Sequence, residues 1–183
     1  NSSATIDDGS CVYAYGDERI TNDPTNNSTF DTNSGYWVNY GAGAIAWGSS
    51  YGETGGGIRY TPPNPNVNEQ GIRLPENNFT TLIAGKSYLV SASIKGVAGE
   101  LDDFRFKLGG VISIRFNVTT SFAAYSKIIT VTANTQLEIT NANTGTGGWF
   151  LDNVSIKEVG TCIPVSIPTT ITKVSNCMRD GGT

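Results

Sequence analysis

The sequence predicts an all-β protein, an antiparallel β-sandwich, and three observations lead there. Of the 183 residues, 38 % are apolar and only 15 % charged, with 22 glycines and a remainder dominated by Asn, Thr and Ser. Such a mixture favours strands and turns over helices. Apolar and polar residues alternate with a period of two in run after run, as half-buried antiparallel strands do. Glycine-rich turns separate those runs, the pattern of many short strands stacked in two layers.

Taken in chain order, the elements justify themselves unequally. Residues 1–24 read as an extended polar leader, 25–159 as the sandwich, and 160–183 as a short Pro- and Thr-rich tail holding two cysteines. Between Gly41 and Pro75 the pattern is irregular. Gly55 to Gly57 and the TPPNPN run imply long loops around strands at Gly57–Thr61 and Gly71–Leu74. From Lys86 to Lys95, Tyr88, Val90, Ala92 and Ile94 fall on one face and Ser87, Ser91 and Ser93 on the other. Phe104, Phe106 and Leu108 alternate with Arg105 and Lys107, and Gly109-Gly110 then offers a two-residue hairpin turn. Ile112, Ile114, Phe116 and Val118 read as the returning strand, and Thr120 to Lys127 as a short helical turn. Leu137 and Ile139 mark one further strand. Phe150, Val154 and Ile156 mark the last, with Asp152 in phase toward the core and Trp149 and Leu151 on the opposite, outward face.

Several function classes are excluded. A formal charge of −4 with no Lys/Arg cluster lacks the footprint of a nucleic-acid binder. No apolar run approaches the roughly 20 residues that cross a bilayer, so membrane insertion is not expected. There is no histidine, which removes the Ser-His-Asp and Cys-His nucleophiles, His-bound metals and the usual general base. Glu100, Asp102 and Asp103 read as a solvated acidic turn rather than a catalytic pair. Gly41 to Ala46 resembles a dinucleotide loop only loosely, without the strand–helix context such a loop needs. The chain is therefore read as no enzyme. Of three cysteines, Cys162 and Cys177 make the preferred disulfide, worth on the order of 3 kcal/mol. Joining Cys11 to a C-terminal cysteine is the alternative.

The aromatics Tyr40, Trp47, Tyr51 and Tyr60, in the glycine-rich region, are the candidate sugar platforms, because pyranose faces stack on flat rings. Glu53 and Arg59 would hydrogen-bond the hydroxyls.

Three short motifs carry a family resemblance. Asn27, Phe30, Asp31 and Trp37 form an N-x-x-F-D…W stretch; A-G-K-S-Y-L-V-S follows from Ala84 to Ser91; F-L-D-N-V-S-I closes from Phe150 to Ile156. In this order they resemble the jelly-roll carbohydrate-binding modules over residues 26–159. The resemblance implies a jelly roll, a glycan ligand and a structural calcium held by Asp31 and Asp152, with loop carbonyls such as those of Gly52 to Gly55 completing the shell. A second stretch, A-T-I-D-D-G-S-C-V-Y from Ala4 to Tyr13, is similar to a Cys-containing motif in modular surface proteins of marine and gliding bacteria and in structural proteins of their phages. It implies an extracellular, cell-surface or virion setting among other subunits or modules of a larger assembly. The combined expectation is a structural or adhesive module gripping surface glycans. The alternative is a carbohydrate-binding module of a secreted polysaccharide-degrading enzyme.

Overall fold

A computed structural model describes residues 11–20, 28–63, 69–98, 103–142 and 147–164, with backbone alone at 11–12 and 161–164. Its strands are β1 (Cys11–Glu18), β2 (Val38–Tyr40), β3 (Ala44–Gly48), β4 (Gly57–Thr61), β5 (Gly71–Leu74), β6 (Ser87–Gly96), β7 (Phe104–Leu108), β8 (Val111–Ile112), β9 (Ala123–Thr130), β10 (Leu137–Asn141) and β11 (Trp149–Pro164). They form two antiparallel sheets. One runs β3-β4-β11-β6-β9 with β1 also paired to β11; the other runs β2-β5-β10-β7-β8. This is the expected all-β jelly roll.

The alternation seen in the sequence builds the core. Tyr88, Val90, Ala92 and Ile94 of β6 are buried against Phe104, Phe106 and Leu108 of β7 and Leu137 and Ile139 of β10. Phe104 anchors an aromatic cluster, its ring 5.2 Å from Phe116 and 5.0 Å from Tyr125. Such rings bury large apolar area and lock to one another through edge-to-face geometry. Gly109 and Gly110 both take positive φ, 57° and 80°, joining β7 to β8 in the primed turn that matches strand twist.

Three expectations are corrected. The strand expected through Val118 ends at Ile112, leaving Ile112 and Ile114 at 42 % and 62 % exposure. There the regular ladder breaks: the Ser113 hydroxyl accepts the Phe106 N–H at 2.9 Å and donates to the Ile114 carbonyl at 2.8 Å, and the chain pairs with β7 again only at Phe116, opposite Phe104. Thr120 to Lys127 is no helical turn. Its second half begins β9, which pairs with β6 over eight consecutive positions, and that ladder overrides local propensity. Trp149 and Leu151 face inward, at 0 % exposure. The reason is a bulge at Asn153 (φ 51°), where the β11–β6 register shifts between Asp152 and Ser155. One extra residue reverses the phase of the strand. Trp149 and Leu151 lie inward before it, Val154 and Ile156 after it, and Asp152 points to the outer face.

At Lys157, β11 pairs with Leu89 of β6 on one side and Glu18 of β1 on the other. β1 thus continues the edge that β4 occupies further back. The sheet takes in residues 11–18 of the expected leader, and β11 runs past residue 159 to Pro164. The Glu18 carboxylate secures this join. Its oxygens accept the backbone N–H groups of Arg19, Ile20 and Ile156 and the Ser155 hydroxyl. The expected Cys162–Cys177 disulfide lies outside the described residues.

Candidate functional site

Two outward faces carry the polar side chains, and cross-strand pairing shows which share a face. On the five-stranded sheet one row runs Val38, Arg73, Glu138, Lys107, Ile112 across β2, β5, β10, β7 and β8. The next runs Tyr40, Gly71, Thr140, Arg105. Glu138 is the centre of this surface and is only 1 % exposed, although it faces away from the core. Longer side chains on the flanking strands wall it in. Its Oε2 lies 3.1 Å from the Lys107 ammonium, and its Oε1 accepts the Gln136 amide at 2.6 Å.

Burial alone would lower the Lys107 pKa. The hydrogen bond and charge of Glu138, with Tyr40 and Glu69 adding, raise it above an ordinary lysine's. Lys107 therefore stays charged through neutral pH. Arg73 lies over the Tyr40 ring at 5.8 Å, and Arg105 stands 3.9 Å from Glu69. Beside them Arg73, Pro75, Glu76, Asn77 and Gln136 line an open pocket of about 330 Å³. Chemically, this face offers a ring edged by an arginine, an ammonium fixed by the buried Glu138 carboxylate, and an amide.

The six-stranded sheet's outer face is organised around β11. Phe150 pairs with Arg59 on β4 and Lys95 on β6, so the three form one row. Tyr51 packs edge-on to Phe150 at 5.2 Å. One row over, the loop between β3 and β4 folds across Asp152, which is 1 % exposed. Asp152 Oδ2 accepts the Glu53 N–H at 2.9 Å and Oδ1 the Asn153 N–H at 2.7 Å. Burial raises its pKa; backbone N–H groups of Glu53, Asn153 and Thr54 pull it down; the nearby Asp31 charge raises it again. The balance lies above the ordinary aspartate value. Glycines permit the loop's close approach: a Cβ on Gly56 would meet the Phe30 carbonyl at 2.1 Å, and one on Gly52 the Gly56 carbonyl at 2.0 Å.

The expected sugar platforms are thus divided. Tyr51, Glu53 and Arg59 gather at the β3–β4 loop and β4. Trp47, at 37 % exposure, is paired with Ile58 on the inner side of edge strand β3 and donates to the Phe30 carbonyl at 2.7 Å. Tyr40 belongs to the other sheet. Tyr60 is a correction: it is fully buried, 4.9 Å from the Trp149 ring, because the outward position on β4 belongs to Arg59. Among the described residues no group of three or more Asp, Glu or Cys side chains gathers in one place.

No protein-family model matches the chain, and no curated relative matches it in sequence. Solved structures do. The CBM22-1 xylan-binding domain of Paenibacillus barcinonensis Xyn10C superposes with a TM-score of 0.59 at 13 % identity, over 82 % of this chain and 97 % of that one. The chain shares its two-sheet β-sandwich jelly roll with that domain. The CBM22-1–GH10 modules of Clostridium thermocellum Xyn10B, complexed with xylohexaose, give 0.56 at 16 % identity, over 80 % of this chain and 29 % of that one. A structure described as CBM4 gives 0.53 at 14 % identity, covering 71 % and 99 %.

Sequence reasoning missed Arg73, Glu138, Lys107 and Gln136. Alternation had already placed Arg105 and Lys107 on the polar side of their run. The strand order β5-β10-β7, which brings three such polar sides together, is absent from any local pattern.

Proposed function

We propose that the protein is a non-catalytic glycan-binding module whose grip is the outer face of the five-stranded sheet. One observation carries this reading: on a surface that faces solvent, the buried Glu138 carboxylate fixes the partly exposed Lys107 ammonium, with the Tyr40 ring and Arg73 beside it. Such an ion pair adds little to fold stability. Held by Glu138 on a face that also carries an aromatic ring, the Lys107 ammonium is a preorganised donor to sugar hydroxyls at small entropic cost. The likeness to xylan-binding domains supports a β-linked polysaccharide such as xylan as the ligand. Lack of histidine and the locking of Glu138 and Lys107 to each other support binding without catalysis.

The test is affinity electrophoresis and calorimetry on xylan and a panel of β-glucans. Tyr40→Ala and Arg73→Ala are each expected to weaken binding tenfold or more, with Trp47→Ala unchanged. Binding that survives both substitutions, or is lost only with Trp47→Ala, rejects this face as the grip.

We also propose a structural calcium at Asp31 and Asp152. The two carboxylates stand close enough for Asp31 to raise the Asp152 pKa, and a divalent cation turns that repulsion into attraction. The 52–56 loop lies between them: a Cβ on Gly52 would be 2.8 Å from Asp152 Oδ2, and one on Gly55 3.8 Å from Asp31 Oδ1. Its carbonyls and water would supply the remaining oxygens. For setting, we propose extracellular display, with the module projecting from a cell-surface or virion assembly as an adhesive element. The register supports this, since Cys11 is the cross-strand partner of Pro164 and chain enters and leaves the described domain at one place.

A further inference from the structure

On the outer face of the six-stranded sheet, Arg59 and Lys95 share one row and no carboxylate of the described residues forms an ion pair with either. The ion pairs of the described residues, over both sheets, are Arg19–Glu158, Lys86–Glu158, Arg105–Glu69 and Lys107–Glu138. Arg59 and Lys95 belong to none of them. Both are instead held against the Phe150 ring, the Arg59 guanidinium 5.7 Å and the Lys95 ammonium 4.8 Å from its centroid. Lys95 also lies 4.7 Å from the Phe122 ring. Acidic groups one row away are already occupied: Glu53 Oε2 accepts the Ser93 hydroxyl at 2.7 Å, and Asp152 accepts backbone N–H groups.

Like charges held against one ring repel, and in a chain of net charge −4 neutralising them internally would be easy. Their carrier strands flank β11, so the two stand roughly two inter-strand spacings apart, about 10 Å. That gap takes one carboxylate, within charge-assisted reach of both sides. Phe122 lies against Lys95 at one end of the row and Tyr51 packs edge-on to Phe150 in its middle, so sugar rings beside that carboxylate would find aromatic surface.

We propose that this row is a second, independent binding site, on the sheet opposite the first, for a polysaccharide carrying uronic-acid carboxylates. The planar guanidinium of Arg59 matches a carboxylate two-pronged, and the mobile Lys95 ammonium closes on its other side. Phe150 positions the two cations through their attraction to its face. The proposal goes beyond the neutral-glycan reading and stands on different residues.

The experiment uses polygalacturonate, its fully methyl-esterified form and dextran sulfate against the whole chain, by affinity electrophoresis and calorimetry at low and moderate salt. Polygalacturonate is expected to bind, more weakly as salt rises, although the protein's net charge opposes it. Arg59→Gln combined with Lys95→Gln is expected to reduce binding at least tenfold at an unchanged melting temperature, with Lys95→Arg retaining most of it and Tyr40→Ala retaining all. Equal binding of the esterified polymer overturns the proposal, as does undiminished binding by the double variant. Dextran sulfate binding as well as polygalacturonate, and lost in the same double variant, overturns the carboxylate assignment. If xylan fails to bind while polygalacturonate binds through Arg59 and Lys95, the first reading falls and this one holds.

Discussion

Asp152 shows how one residue's environment differs from what its position in a pattern implies. Read by alternation it pointed inward; the bulge at Asn153 turns it outward, and the loop over it buries it again. Its folded pKa is raised, first by burial and also by Asp31, so the folded state holds its proton more tightly than the unfolded chain does. The stabilisation from that proton is complete below the unfolded pKa and is lost as pH rises through the folded value. In EDTA, the melting temperature of the wild type is therefore expected to fall relative to Asp152→Asn as pH rises above the ordinary aspartate range. Added calcium is expected to reverse the trend in the wild type alone. A calcium-independent curve removes the metal from Asp31 and Asp152. Tyr60 and Trp149 make a related point. Each ring is amphipathic enough to suit a surface or a core, and only the bulge and the pairing with β4 send both inward.

Among the elements, those with strict alternation were legible from sequence: β6, β7, β10 and the turn at Gly109-Gly110 follow directly from the residue order. The misread ones share a cause, which is that tertiary pairing outranks local signal. The run Ile112 to Val118 alternates well, yet its ladder with β7 is interrupted after Ile112 and resumes only as the isolated Phe104–Phe116 bridge. β9 lacks a strong strand signal and forms because β6 templates it. β1 depends on a single side chain to a degree no periodicity reveals. Glu18→Ala removes the acceptor of the Ile20 and Ile156 N–H groups and of the Ser155 hydroxyl at the point where β1 joins β11, while the Arg19 N–H keeps the Ile156 carbonyl at 2.7 Å. A loss of about 2 kcal/mol is expected from denaturant titration. Hydrogen exchange is expected to rise in 13–18 and 157–160 while β6 keeps its protection. Uniform exchange changes across both sheets would show that β1 is no separable unit.

For the molecule as a whole, composition and periodicity sufficed for two layers of antiparallel strands, and three short motifs for the jelly roll. The candidate site was less legible. Tyr51, Glu53 and Arg59 do gather, but Arg73, Glu138 and Lys107 come from separate strands and meet only through strand order. The sandwich separates its two polar faces by the full thickness of a packed core, roughly 10 Å between sheets. Two ligands on these faces share no residue. Saturating xylan is accordingly expected to leave polygalacturonate affinity unchanged within twofold, measured by titration of one into the complex with the other. Strong competition would place both on one face.

The β1–β11 ladder has a mechanical consequence. Cys11 and Pro164 are partners at the same end of an antiparallel pair, whose hydrogen bonds run perpendicular to the strands. Tension applied between those two positions pulls along the bonds and opens them one after another, as a zip opens, instead of shearing the ladder all at once. The network around Glu18, where Glu18 faces Lys157, is where that opening meets its first cluster of side-chain resistance. A module loaded through both ends would lengthen by the slack of β1 and the end of β11 while the sandwich, and both polar faces on it, stay folded.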